Sequence, residues 1–205
     1  MTVKWIFFDV GSTLVDETEA YNHRAREMLE GTNISFSAFD SKRIELAKLG
    51  FDGNSEAIKF FGLKKTPRHS EDEIPFDDAL ETLEYLKRKG FHLGIIANQS
   101  IGTTQRLAAW GLLKHFDVVG ASAELGVAKP NRLIFEKAFE MAGCLPYESV
   151  MVGDRLDNDM IPAKSIGMKT VWIRKGLSTY QDPKLGKNYA DWVIDDLGEL
   201  KAIFG

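Results

Sequence analysis

An α/β fold is what this chain predicts: a Rossmann-like parallel sheet with helices on both faces, plus a small inserted helical cap. Two periodicities and one interruption lead there. Short β-branched and aromatic runs end in a polar residue, helical periods lie between them, and the alternation fails once, between residues 17 and 75.

Lys4-Trp5-Ile6-Phe7-Phe8-Asp9 reads as a buried strand opening into a turn at Gly11-Ser12, which leaves Asp9 at the strand's C-terminal end. The same grammar returns in Phe91 to Ala97 before Asn98, in Asp117 to Ala121 before Ser122, and in Ser149 to Gly153 before Asp154. Lys169 to Ile173 and Trp192 to Ile194 are further strands. Helical periods run over Asp77 to Lys89, with Ala79, Leu80, Leu83 and Leu86 on one face, and over Gly102 to Leu113, Arg132 to Ala142 and Asp157 to Ser165. Pro130 and Pro162 sit near helix starts, and Gly90, Gly143 and Gly167 mark ends. Residues 1–16 and 76–205 thus form the α/β core.

The segment 17–75 shows helices over Glu19 to Glu30, Ala38 to Leu49 and Asn54 to Phe61, and no convincing strand. It reads as an inserted helical cap. Its polar return arm, Leu63 to Pro75, carries two prolines and serves as a linker, with hinges near Val15–Glu17 and Glu73–Phe76. Phe36, Phe39, Phe51, Phe60 and Phe61 are expected to make the cap's own core, and Trp110, Tyr180 and Trp192 to pack on helix and sheet faces.

The 205 residues suffice for one full domain with a modest insertion, and 44% hydrophobic with 27% charged residues excludes a disordered or collagen-like chain. Lys and Arg number 26 against 30 Asp and Glu, a net charge of −4, with no basic stripe to follow a phosphodiester backbone. Nucleic acid is therefore not an expected partner. The apolar start is broken by Lys4 and Asp9, so neither a signal peptide nor a membrane span is expected, and a cytoplasmic location is. One cysteine, Cys144, agrees with a reducing compartment and reads as structural. Oligomeric state leaves no mark in the pattern.

Ligands of parallel sheets bind outside the carboxyl ends of the strands. That rule gathers Asp9, Asn98, Asp154 and the loop carrying Lys129 around one crevice, although they are far apart in sequence. A carboxylate, a lysine and the acidic run Gly153-Asp154-Arg155-Leu156-Asp157-Asn158-Asp159 supply a nucleophile, a charge neutraliser and hard oxygen ligands. His23, His69, His92 and His115 show no ligand spacing, and His23 stands out only for lying early in the cap.

Four segments in this order resemble the motifs of the haloacid dehalogenase-like hydrolase superfamily, in its branch with a helical cap after the first strand: Phe8-Asp9-Val10-Gly11-Ser12-Thr13-Leu14, Ile96-Ala97-Asn98, Val127-Ala128-Lys129-Pro130, and Val152-Gly153-Asp154 through Asp159. The resemblance covers essentially the whole chain. It implies a hydrolase that attacks a small phosphorylated metabolite with Asp9 to form an aspartyl-phosphate, and it implies Mg²⁺ held by Asp9, the main-chain carbonyl of Gly11 and Asp154, with Asp159 holding a metal-bound water or the surrounding loop. Lys129 would neutralise charge on Asp9 and the phosphoryl group, while Ser12, Thr13 and Asn98 would cradle the phosphoryl oxygens.

Two positions depart from that pattern. Phosphatases of the family carry an acid–base Asp two residues after the nucleophile, where this chain has Gly11, and a Ser or Thr of the second motif is Ala97. Asp16 and Glu17 follow the nucleophile loop and either polarise a water in place of the missing Asp or cap the first cap helix. Gly11 also leaves other readings open: a phosphate-binding or regulatory protein on a catalytically weak scaffold, a phosphonatase-like enzyme using a cap lysine (Lys42, Lys48 or Lys59), and a dehalogenase-like one. Asp154 and Asp159 argue against the last, because without a cation they would repel a substrate carboxylate.

Overall fold

The computed structural model describes residues 2–205. Its six-stranded sheet is built from β1 (Trp5–Phe8), β4 (His92–Ala97), β5 (Val118–Ala121), β6 (Ser149–Gly153), β7 (Lys169–Ile173) and β8 (Trp192–Ile194), all parallel, in the order β5-β4-β1-β6-β7-β8. The chain winds outward from β1 in one direction and then in the other, so the order reverses beside β1. That reversal opens a crevice at the carboxyl ends.

Alternation along the strands divides the core. Ile6 and Phe8 of β1, Val150 and Val152 of β6, and Val171 and Ile173 of β7 pack on one face with Leu83 and Leu86 of α4 (Ala79–Arg88). Trp5, Phe7, Met151 and Trp172 pack on the other with Ile134, Phe135 and Ala138 of α7 (Arg132–Ala142). Both faces are covered. Strands buried on two sides read as continuous apolar runs, which is why the sequence marks them so clearly. Leu80 of α4 is exposed rather than part of the expected buried face.

Segment 17–75 holds α1 (Thr18–Leu29), α2 (Phe36–Lys48) and α3 (Gly53–Phe60), which share a separate cluster of Ala25, Met28, Leu29, Phe39, Ala57 and Ile58. Its two connections meet in a short antiparallel ribbon, β2 (Val15–Asp16) against β3 (Ile74–Pro75). No strand was expected there, since two residues are too few to show a period. Of the five phenylalanines assigned to the cap core, Phe39 is buried and Phe36 and Phe61 pack beside it, whereas Phe51 and Phe60 are exposed. Trp110 and Trp192 pack against the core as expected, but Tyr180 is exposed.

Two predicted helices are cut short. The one over 102–113 becomes α5 (Thr103–Ala109), because Gly111 adopts a left-handed φ of 71° that stops it and the chain continues as a 3₁₀ turn, Leu113–His115. The one over 157–165 starts as a single π turn, Leu156–Met160, before α8 (Ile161–Ser165). The short helices α6 (Ser122–Leu125), α9 (Pro183–Tyr189) and α10 (Leu200–Ile203) carry too little apolar period to be foreseen. Among the described residues no helix is long and apolar enough to cross a membrane.

Candidate active site

Asp9 leaves the carboxyl end of β1, its N–H bonded to the Val152 carbonyl of neighbouring β6 at 2.9 Å. Asp154 follows β6, and its main chain is pinned by the Trp172 indole N–H, 2.7 Å from the Asp154 carbonyl. Asp159 arrives on the π turn, whose wider winding turns its side chain inward, where it is 1% exposed. Its carboxylate lies over Gly153, in the space a Cβ there would fill, so a side chain at 153 would expel it. Three carboxylates therefore converge, with one oxygen of each within 4.8 Å of the others.

Lys129 enters this cluster from the loop beyond β5 and α6. Its ammonium donates to Asp9 Oδ1 at 2.6 Å and Asp159 Oδ1 at 2.5 Å, with its side chain only 2% exposed. Burial alone would lower the lysine's pKa, but the charges of Asp159 and Asp9 outweigh it and hold the ammonium above its usual range. Asp159 is pushed up to about 6, chiefly by burial and against the pull of Lys129. Asp154 is raised well above the ordinary carboxylate value by burial and by the neighbouring charges of Asp159 and Asp9. Among the described residues the Asp154 carboxylate receives no hydrogen bond. The cluster is thus one cation short: one ammonium faces three carboxylates, and a hard divalent ion matches an all-oxygen donor set of this kind.

The remaining predicted residues take varied places. Asn98 grips the Lys129 main chain, accepting from its N–H at 2.7 Å and donating to its carbonyl at 2.9 Å, so its first task is to fix the lysine's loop. One amide N–H of Asn98 stays free of those bonds. Ser12 lines the cavity in a left-handed conformation, φ 51°, with its hydroxyl 3.5 Å from Glu17 Oε2. Thr13 is wholly buried, its hydroxyl unpartnered, and is absent from the cavity wall. Gly11 lies in the wall beside Asp9.

The carboxylates floor a cavity of about 310 Å³ between the sheet ends and α1 to α3. Glu17, Arg43, Asp52, Arg68 and Arg155 line it, which gives a polar chamber. Glu17 is buried and lies over Gly11, its carboxylate in the volume a side chain at position 11 would take, and it is ion-paired with Arg68. Arg68 also binds Glu73 Oε1 at 2.7 Å. From the other side, Arg155 reaches Asp52 Oδ2 at 2.7 Å, joining the acidic loop to the N-cap of α3. Nothing in sequence singles out Arg68 or Asp52. Both lie on irregular segments whose neighbours are set only by folding.

A family model described as haloacid dehalogenase-like hydrolase matches residues 6–173. The chain belongs to that family and is a hydrolase. It is 31% identical over 222 residues to a glyceraldehyde 3-phosphate phosphatase of Pyrococcus furiosus, covering 97% of this chain and 91% of that one. A protein of the same name from Methanothermobacter thermautotrophicus is 39% identical over 131 residues, which are 63% of this chain and 58% of that relative. Among solved structures, a HAD phosphatase from Thermococcus onnurineus superposes with a TM-score of 0.68 at 30% identity, over 100% of this chain and 98% of the other.

Proposed function

We propose that this hydrolase is a Mg²⁺-dependent phosphatase of small phosphorylated metabolites, working through an aspartyl-phosphate at Asp9. The observation that carries the reading is the placement of Asp9, which lines the cavity: Oδ1 is held by Lys129, and Oδ2 has no protein hydrogen bond among the described residues. A carboxylate with one oxygen fixed is oriented for attack by the other. Phosphatase-named relatives at 31% identity over nearly the whole chain support the substrate class. Glyceraldehyde 3-phosphate, which names them, is a small enough ester for a chamber of about 310 Å³.

Asp9, Asp154 and the Gly11 carbonyl would hold Mg²⁺, with Asp159 behind them. When bound, the ion supplies positive charge that offsets repulsion between a carboxylate and a phosphate dianion. Lys129, on Asp9 Oδ1, offsets what remains of the Asp9 charge and shields the phosphoryl group, and Ser12 with the free amide N–H of Asn98 offers donors to its oxygens. Attack by Asp9 forms its bond to phosphorus as the bond to the substrate's alkoxide breaks, and that alkoxide takes its proton from water. Glu17 takes the base half of the part that position 11 lacks: as a carboxylate paired with Arg68, it accepts a proton from the water that attacks phosphorus, the P–O bond to Asp9 breaks, and inorganic phosphate and the Asp9 carboxylate are released. Residues 17–75 act as a cap over residues 1–16 and 76–205, closing on the substrate and excluding water.

The test is turnover of a panel of small phosphate esters, with and without Mg²⁺, for wild type and Asp9→Asn, coupled to chemical trapping of the acyl phosphate. Metal-dependent turnover that disappears in Asp9→Asn, together with label trapped on residue 9, is the expected result. Activity that survives Asp9→Asn overturns the covalent mechanism. A wild type inert on every ester while Gly11→Asp gains activity would instead identify a phosphate-binding protein on a weakened scaffold.

A further inference from the structure

Away from the carboxylate cluster, the fold brings together two histidines that sequence spacing keeps apart. His23 and Glu27 lie one turn apart on α1, and His69 comes from the return arm just before β3. Each offers one donor atom within 4.8 Å of the other two. His69 Nε2 stands 2.9 Å from Glu27 Oε2, and His23 Nε2 stands 4.0 Å from Glu27 Oε1. His69 is held between two carboxylates, Glu27 at Nε2 and Glu71 at Nδ1, which favour the protonated ring, so a cation seated here would take the place of the Nε2 proton.

The far sides of both rings are also fixed. His23 Nδ1 lies 2.8 Å from Asp72 Oδ2, and His69 Nδ1 lies 2.9 Å from Glu71 Oε1. A carboxylate on Nδ1 sets the tautomer that leaves a lone pair on Nε2, the usual backing of a metal-bound histidine. Once a cation displaces the Nε2 proton of His69, both imidazole lone pairs and the Glu27 carboxylate can turn to it. The rings are stacked, centroids 3.7 Å apart and planes 13° apart, so seating an ion between the two Nε2 atoms requires them to splay by rotation about their side-chain bonds while the Nδ1 contacts persist.

We propose that His23, Glu27 and His69 form a second metal site, at the root of the cap, for a borderline divalent ion of the zinc class. Two imidazoles and one carboxylate suit such an ion, whereas Mg²⁺ takes oxygen ligands, and three protein ligands leave one tetrahedral position to water. The site ties α1 to the return arm. Arg68, next to His69, is the residue that touches Glu17 and Glu73, so an ion here would fix the arm that holds Arg68 against the catalytic chamber. The site stands independently of the phosphatase reading.

Zinc titration of the intact chain against a chromophoric chelator, with Co²⁺ absorption as the spectroscopic probe, tests this. One tight Zn²⁺ per chain and a tetrahedral Co²⁺ spectrum are expected. His23→Ala with His69→Ala should weaken binding at least a hundredfold, Glu71→Gln about 10–100-fold, and Asp154→Asn not at all. Circular dichroism checks that each variant is folded, and the mild Glu71→Gln change keeps the question open to test should the double variant fail to fold. Absence of zinc binding overturns the proposal. So does binding that survives loss of both histidines, or that vanishes in Asp154→Asn, since the ion would then sit among the catalytic carboxylates.

Discussion

The Glu17 carboxylate fills the volume that a side chain at position 11 would occupy. Gly11 and Glu17 are thus alternatives in space. An aspartate at 11 must push Glu17 aside, and because the obstacle is the tip of a flexible side chain, Gly11→Asp is expected to fold. It would separate Glu17 from Arg68 and replace one carboxylate by another beside Asp9. Glu17→Gln is expected to lower kcat about 10²–10⁴-fold, the usual worth of an acid–base group, with KM nearly unchanged. Gly11→Asp on the Glu17→Gln background should recover part of that loss. If Glu17→Gln raises KM and leaves kcat intact, Glu17 binds substrate instead.

Among the described residues, Lys129 is the one cation in contact with both Asp9 and Asp159. Replacing it by methionine keeps volume and removes the charge, leaving buried carboxylates without their partner. Loss of one member of a buried ion pair costs about 3–5 kcal/mol. Thermal or urea unfolding of the metal-free Lys129→Met protein should show a loss of that order together with loss of turnover. An unchanged unfolding midpoint would mean that the carboxylates find relief elsewhere.

How far these residues were legible before folding follows from where they sit. Asp9, Asn98 and Asp154 end apolar strands, so the same burial that marks the strand marks the residue beyond it, and Lys129 stands out in its Lys-Pro turn. Asp159 was visible as acidic, but not the π turn that carries it inward, since a one-residue widening of a helix leaves no periodic trace. Asn98 reads in the sequence as a substrate-binding amide, and folding adds a task the sequence does not show, holding the Lys129 loop. Arg68 and the pairing of His23 with His69 depend on how the return arm lies on α1, and Asp52 on how the start of α3 meets the acidic loop. The histidines show no ligand spacing in the sequence, and the one-turn step from His23 to Glu27 gains meaning only once His69 is folded against it.

Arg155 and Asp52 join the acidic loop to the N-cap of α3, an ion pair between that loop and the helical segment 17–75. Asp52 is held below its usual pKa: burial opposes this, but Arg155 and the Ser55 hydrogen bonds prevail. Both side chains are about one-third exposed, so the pair is worth at most about 1 kcal/mol of stability. Asp52→Asn keeps an oxygen for the Ser55 N–H and removes the charge. Under the proposed closure of residues 17–75, its effect should fall on that step: KM rising by less than about tenfold, with kcat and melting temperature nearly unchanged. A large drop in melting temperature would show that Asp52 serves α3 rather than the closed state.

His115, in the 3₁₀ turn after α5, is 9% exposed with Nε2 unpartnered. Burial, aided by Lys114, holds it below its ordinary value of 6.5. The folded state therefore binds this proton less readily than the unfolded chain does. The stability it contributes is fully present above pH 6.5 and is lost as pH falls through the lowered folded value. His115→Leu removes that penalty while keeping the site apolar. Melting temperatures measured at pH 8 and pH 5 should show the variant gaining on wild type at the lower pH. An equal difference at both pH values would mean that the ring takes its proton without cost, through an opening of the turn toward water.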